Sequence, residues 1–393
     1  MDQIDYDVII VGAGPSGSIA AERLARNNIS VLILDSKKFP RYKCCAAGVL
    51  WHNMEDFPEI KDVVENFNYK LVTHSPSLNH KFSIESDDHY LMGQTYRVKL
   101  DSHLVNLAQK AGAIFQDRTK VIDLEIMDES KGVRVTAKIM ETGESKNYIA
   151  KVIVGADGVT SIVRKKHPDF PDWKKDELLI ASELDVPIDE EKILEIYGKE
   201  RAVHMFLYYN DVPGYAWIFT KKHSVSIGMG TMLEFEGKTY GGRVLRENFA
   251  HYCKFLKNQG YIPEGTYDLE KTSYAMIPCT SLKTSVTYGQ NALLVGDAAG
   301  AFVSALSGEG IYYGCLSGKF AAECIIEAFE KNRFDEDQLS LYKKLWMKRL
   351  KTELNYQYFA KGYMVEVKRR CEKAVRWGRF DKKIRKFMSV FFT

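Results

Sequence analysis

Gly12, Gly14 and Gly17 close an apolar run that begins at Val8, and Asp35, eighteen residues past Gly17, ends a second run, Val31–Leu34. That spacing suits recognition of a dinucleotide. Gly12 permits a tight turn, Gly14 lets the backbone approach a pyrophosphate with no Cβ in the way, and Gly17 lets a helix pack closely on the strand before it. Pyrophosphate then sits on the helix N-terminus, where free N–H groups and the dipole favour negative charge. Asp35 is placed to accept hydrogen bonds from a ribose diol, and its charge disfavours a 2′-phosphate.

Two further turns join glycine to an acid. Gly155-Ala156-Asp157-Gly158 follows an apolar strand, and Gly296-Asp297 follows Asn291–Val295, ahead of Ser307-Gly308-Glu309-Gly310-Ile311. The latter reads as the second half of a nucleotide site, contributed from far along the chain. Asp157 is either a helix N-cap or a shaper of that site. The loop after Asp35 holds Arg41, able to pair with phosphate or ribose, and Cys44-Cys45-Ala46-Ala47-Gly48, whose small residues let a flat ring lie on backbone. A free cysteine is most often a small buried hydrophobe, yet a thiol with a pKa of about 8.5 still holds its proton at neutral pH and can donate it. Tyr215, Trp217 and Phe219 alternate, so a strand would put all three on one face, as core or as a substrate wall.

These residues need a particular scaffold. Residues 7–35 predict strand, helix and strand, a βαβ unit. Apolar positions 100, 104, 107, 108 and 111 have helical spacing, with Gly112 as C-cap. Segments 121–126, 132–139 and 147–154 alternate as a small antiparallel meander. Strands at 178–187, 202–210, 215–220, 224–231 and 271–277, with a helix within 239–259, predict a second domain on a mixed or antiparallel sheet. A deeply packed helix is expected at about 310–331. The fold class is therefore α/β. Its parts are a discontinuous nucleotide domain (1–50, 94–177, 278–332), an insertion (51–93), a substrate domain (178–277) and a basic helical region (333–393).

The chain has 393 residues, 45% hydrophobic and 27% charged, enough for a full core in more than one module. No stretch reaches the roughly 18 uncharged apolar residues of a membrane span, and the first strand starts too early for a signal peptide. Seven cysteines without paired spacing point to reduced thiols, no metal and a cytoplasmic setting. Net charge is +3, but residues 343–393 hold 16 Lys+Arg against 4 Asp+Glu, which gives +12 there and −9 in the rest. Trp346, Tyr356, Tyr358, Phe359, Tyr363, Trp377, Phe380, Phe387, Phe391 and Phe392 interleave with those cations. Such a tail suits an anionic membrane surface or a phosphate groove. No DNA- or RNA-binding module accompanies it.

Four ordered motifs resemble the FAD-dependent oxidoreductases of the glutathione-reductase-like class. They are Gly12-x-Gly14-x-x-Gly17, Arg97-x-x-Leu100-Asp101, Gly155-Ala-Asp157-Gly158-x-x-Ser161-x-Val163-Arg164 and Gly296-Asp297-Ala-Ala-Gly300. Within that class, the Cys45 loop and Tyr215-x-Trp217-x-Phe219 are similar to the geranylgeranyl reductase group. Thr220 and Ala305 stand where that group commonly has proline, and Ala46-Ala47 replace a Gly-Gly pair. The resemblance implies FAD held by Gly12, Gly14, Ser16 and Gly17 at the pyrophosphate and Asp35 at the ribose. It places Arg41, Cys45, Ala46 and Gly48 near the flavin. Arg97 and Val121 would contact cofactor, Gly296-Asp297 would bind its ribityl or pyrophosphate portion, and Gly310-Ile311 would offer N–H groups to the ring. Tyr215, Trp217 and Phe219 would line the isoprenoid, with Cys45 handling the proton. The implied activity is reduction of C=C bonds in polyprenyl chains, of archaeal-type membrane lipids or prenyl diphosphates. No second GxGxxG is present for a nicotinamide domain, so electrons come from transiently docked NAD(P)H or a ferredoxin-like carrier. A flavin monooxygenase and an electron-transfer flavoprotein that reduces quinone are the rival readings.

Overall fold

The computed structural model describes residues 3–86, 89–127, 131–280, 282, 285–364 and 367–381. Tyr6–Val11 forms the opening strand because Val8, Ile9, Ile10 and Val11 are β-branched and buried. Pro15, which needs no N–H partner at the first helical position, starts the opening helix Pro15–Arg26. Asn28, at φ +59°, turns the chain out of that helix and into the fully buried strand Val31–Leu34. The sequence therefore specifies the βαβ unit locally.

The chain divides into two compact units. The first comprises Met1–Tyr42, Arg97–Lys174 and Pro278–Tyr356. Its sheet runs in the order Tyr288–Gly289, Ala292–Leu294, Ser145–Gly155, Tyr6–Val11, Val31–Leu34, Ile114–Gln116. From Ala292–Leu294 across to Ile114–Gln116 the strands are parallel, with Leu294 opposite Gly155, Gly155 opposite Val11 and Val11 opposite Leu34. Four strand ends are thereby level. Gly12, Asp35, Asp157 and Gly296-Asp297 all leave the same carboxyl edge, where open α/β sheets bind ligands. The first half of Ser145–Gly155 extends the same sheet as an antiparallel branch, pairing with Val133–Ile139, which pairs with Thr119–Ile126. That is the expected meander.

Arg97–Lys110 and Ile311–Lys331 are helices packed against the opening helix. The approach requires small residues: a Cβ on Gly318 would stand 2.2 Å from the Ser16 carbonyl oxygen. The helix Leu341–Met364 then covers this core with Tyr342 and Trp346, both fully buried. The Trp346 ring meets Phe302 at 5.4 Å and its Nε1 donates to Thr287 Oγ1 at 3.3 Å. Trp346 is thus a core residue and no part of an exposed basic face, which corrects its place in the expected surface tail.

The second unit comprises Lys43–Tyr96, Lys175–Ile277 and Gln357–Thr393. Its seven-stranded sheet has the order Ser273–Pro278, Leu178–Pro187, Ser224–Met232, Gly214–Thr220, Val203–Leu207, Lys70–His74, Lys81–Glu85. It is mixed, because Val203–Leu207 runs parallel to Lys70–His74 while its other neighbour is antiparallel. Two strands of the 51–93 segment therefore belong to this sheet. The amphipathic helix Arg243–Asn258 buries Leu245, Phe249, Tyr252 and Leu256 on one sheet face, against Ala216, Ile218, Ile227 and Met229. A small sheet of Gly48–Leu50, Met92–Gln94 and Asn66–Asn68 completes the unit. Among the described residues no helix is long and apolar enough to cross a membrane. The side chain of Tyr363, and Phe387, Phe391 and Phe392, lie outside the described residues.

Candidate functional site

At the carboxyl edge of the first unit, Gly12 has φ +104°, a left-handed conformation, and a Cβ there would stand 2.4 Å from the Ala156 carbonyl oxygen. Only glycine fits. Gly17 is as tight, with a Cβ position 2.2 Å from the Gly12 carbonyl. Asp35 Oδ2 accepts the Ala13 N–H at 3.0 Å and Oδ1 accepts the Lys37 N–H at 2.9 Å, so the carboxylate fixes the glycine turn. Each oxygen keeps a lone pair for a diol.

The opening helix has no side-chain cap at Gly14 and no acid in its first turn. Two guanidinium groups converge there instead: from the Cβ direction of Gly14, Arg41 Nη2 is 3.8 Å away and Arg97 Nη2 4.0 Å. Asp101, fully buried, holds both. It takes Arg97 Nε and Nη2 at 2.8 and 2.9 Å, and Arg41 Nη1 at 2.9 Å. Two cations and an uncapped helix N-terminus facing one glycine make an anion site whose chemistry fits a pyrophosphate. Asp101 is the member that residue-type reasoning left without a role, although its i,i+4 spacing from Arg97 was the signal.

Asp157 is not the helix cap. Ser161 is, accepting the Arg164 N–H at 3.0 Å, while Asp157 Oδ2 accepts the Ile162 N–H at 2.7 Å. The residue as a whole is part-exposed, but Oδ1 is buried with no partner among the described residues. Burial raises its pKa to about 6 against the opposing hydrogen bonds of Ser161 and Ile162. Arg164 lies over the Trp173 ring at 3.7 Å and donates to the Ala298 carbonyl at 3.3 Å, tying this turn to the Gly296-Asp297 turn. Gly296, at φ +55°, abuts Ser16 Oγ, and Gly314 faces the same hydroxyl. Asp297 Oδ1 is 3.5 Å from the Cβ direction of Gly310, which precedes Ile311 at the helix start. Glu309 beside them accepts the Tyr312 N–H at 2.7 Å, and burial lifts its pKa to about 7. Ser16, Gly296, Asp297, Gly310 and Ile311 are thus brought together. Val121 is buried in Thr119–Ile126, opposite Ala137 at a register shift.

Arg41 belongs to the first unit, whereas Cys45, Ala46 and Gly48 belong to the second. There, Ala47 takes φ +56°, a conformation that glycine adopts freely, so the alanine at this position carries local strain. Cys44 and Cys45 are free and half-buried. Desolvation raises the Cys44 pKa, reinforced by Glu183 and by Cys45. Gly48 lies under the Phe219 ring: a Cβ would be 2.9 Å from Cε2. The aromatic row Tyr215, Trp217, Phe219 has ring centroids 5.9 and 6.4 Å apart. It occupies the sheet face opposite Ala216 and Ile218, which serve the core with helix Arg243–Asn258. Gly228, paired with Trp217, makes room for the indole, since a Cβ there would be 2.0 Å from Cζ2. The row is therefore a second apolar surface next to the cysteine loop.

A buried polar chain connects that loop to the row. Gln94, which pairs with Gly48, donates to Asn68 Oδ1 at 2.7 Å. Asn68 Nδ2 donates to Thr220 Oγ1 and the Arg201 carbonyl, each at 2.7 Å, and Thr220 Oγ1 donates to Arg201 O at 2.9 Å. Thr220 follows Phe219, so Gly48, Gln94, Asn68, Thr220 and Phe219 close a ring. A proline at 220 would have neither the hydroxyl nor the N–H.

A glycine turn, a strand-end acid and paired arginines on one parallel-sheet edge define a dinucleotide-binding α/β protein with a separate mixed-sheet unit. The chain belongs to the FAD binding domain family, which matches residues 5–311. It is 31% identical over 340 residues to an uncharacterized protein of Methanosarcina barkeri, covering 85% of this chain and 78% of that one. It is 28% identical over 347 residues to digeranylgeranylglycerophospholipid reductase 1 of Methanosphaera stadtmanae, covering 86% and 79%. A solved geranylgeranyl bacteriochlorophyll reductase-like protein from Thermoplasma acidophilum shares the fold, with TM-score 0.80 at 20% identity over 98% of this chain and 96% of that one. The family resemblance read from the motifs is borne out.

Proposed function

We propose that the protein is an FAD-dependent reductase of C=C bonds in geranylgeranyl chains, on archaeal-type membrane lipids or prenyl diphosphates. The observation that carries this reading is the aromatic row of the second unit, held against the Cys45 loop on the sheet face that the core does not use. A row of tilted aromatic rings beside the loop that carries a thiol suits a long hydrocarbon with one reacting double bond. The reductase among the relatives supports the same substrate class.

In this assignment Gly12, Gly14, Ser16 and Gly17 bind the pyrophosphate with Arg41 and Arg97, and Asp35 binds the adenosine ribose. Asp157, Gly296 and Asp297 shape the ribityl end, Val121 lines the cofactor, and Gly310-Ile311 present N–H groups to the ring. FAD held by these residues would, once reduced, be the source of hydride for one alkene carbon. Cys45 gives the other carbon its proton, and the thiolate left behind is reprotonated from water. Tyr215, Trp217 and Phe219 orient the chain. Electrons reach the site from NAD(P)H or a reduced ferredoxin-like carrier, on the cytoplasmic side of the membrane that holds the lipid. The test is anaerobic stopped-flow reoxidation of the photoreduced protein. A geranylgeranyl lipid should reoxidise the flavin; reoxidation only by quinone, or only when oxygen is admitted with an aromatic substrate, selects a rival.

A further inference from the structure

The last described helix, Lys368–Gly378, carries two opposed faces. Cys371, Val375 and Gly378, spaced i, i+4 and i+7, are buried, and a Cβ on Gly378 would stand 3.0 Å from the Phe82 ring. Glu372 fixes the helix by accepting the Ser77 N–H at 2.9 Å and the Ser77 hydroxyl at 2.8 Å, and Lys368 pairs with Asp211. The orientation is set by packing and polar contacts together.

Opposite that inner face stand Arg369, Lys373, Arg376 and Trp377, spaced i, i+4, i+7 and i+8, followed by Arg379 and Phe380. All six are exposed, Trp377 at 57% and Phe380 at 81%. Large aromatic rings held in water among cations are characteristic of a bilayer boundary, where rings settle at headgroup depth and cations meet lipid phosphates. Charge is segregated in the same sense, +12 over residues 343–393 against −9 elsewhere.

We propose that this outer face docks the protein on an anionic lipid bilayer. The purpose of docking rests on the reductase reading, because a lipid-borne chain must be reached at a membrane; the binding itself does not. An acidic electron carrier would seek the same cations, but it gives no reason for two rings at these exposures, and bilayer insertion does.

The test is co-sedimentation of the full-length, FAD-loaded protein with phosphatidylcholine vesicles, with and without phosphatidylglycerol. Binding should require the anionic lipid and fall as salt rises, since screening shortens to about 3 Å at 1 M. At roughly fivefold per cation, Lys373→Ala with Arg376→Ala should weaken partitioning about 25-fold. Trp377→Ala with Phe380→Ala should weaken it at high salt as well. Circular dichroism and the flavin spectrum report whether each variant is folded. The proposal is overturned if the parent protein ignores anionic vesicles, if folded variants bind as the parent does, or if only an acidic ferredoxin-type protein is bound. Because sedimentation involves no turnover, vesicle binding with no alkene reduction would sink the reductase reading and leave this one standing.

Discussion

Replacing Asn68 by alanine should cost roughly two to four times as much stability as removing the hydroxyl of Thr220. In Thr220→Val the bonds to Asn68 and Arg201 disappear, yet Asn68 Nδ2 keeps the Arg201 carbonyl and Thr220 O keeps the Asn66 amide at 3.0 Å. Nothing is orphaned, so two ordinary bonds set the cost at about 1–2 kcal/mol. Asn68→Ala removes all three donations of a fully buried amide, the third to the Thr220 carbonyl at 3.2 Å, and also strands Gln94. Gln94 Oε1 already lacks a partner among the described residues, and its nitrogen would keep only Met92 Sδ at 3.1 Å. One stranded amide plus the three lost bonds, the longest of them weak, gives about 4 kcal/mol. Urea unfolding of the two variants and the double variant measures this directly. The double variant should cost less than the sum by about 1 kcal/mol, the shared Asn68–Thr220 bond. FAD affinity should hold, because the pyrophosphate and ribose cradle residues lie in the other unit, while KM for the prenyl substrate rises. Equal costs for the two single variants, or a loss of FAD with unchanged KM, would refute the idea that this chain sets the loop against the aromatic row.

Gly12→Ala meets both a left-handed φ and the Ala156 carbonyl, so the purified protein should be colourless, read by the absence of flavin absorbance. Cys45→Ala should lose proton delivery while Cys44→Ala retains it, read by turnover and by deuterium placement from D2O; full rate and unchanged stereochemistry in Cys45→Ala would make that thiol a packing group. Asp157 titrates near 6 when folded, above the ordinary carboxyl value, so folding favours its protonated form. That preference is fully expressed below about pH 4 and is lost as pH rises through 6, a difference of roughly 3 kcal/mol. Asp157→Asn should therefore stabilise the protein at pH 7 and change little at pH 4, read from melting temperatures across that range.

The nucleotide cradle was legible because its determinants are local. Glycine spacing, a strand-end acid and apolar runs dictate the βαβ unit by short-range sterics, and the other two acid turns follow strands whose parallel pairing levels their ends. The aromatic row was legible by its period of two; which face it occupies was not, since that depends on helix Arg243–Asn258 covering the other side. Asn68 and Gln94 sit in a stretch of weak periodicity, and the partner of Asn68 at Thr220 lies 152 residues away. No local pattern encodes such a contact. The tail misled in one respect: basic and aromatic residues alternate throughout it, yet Trp346 is fully buried while Trp377 is exposed, a difference fixed by tertiary packing.

A reductase of this kind must add hydrogen to a prenyl chain. Anaerobic incubation of the dithionite-reduced, FAD-loaded protein with a geranylgeranyl glycerophospholipid, followed by mass spectrometry of the lipid, measures this. Mass gains in steps of two hydrogens are the predicted result. An unchanged lipid, or a product that forms only in air and gains oxygen, would contradict it.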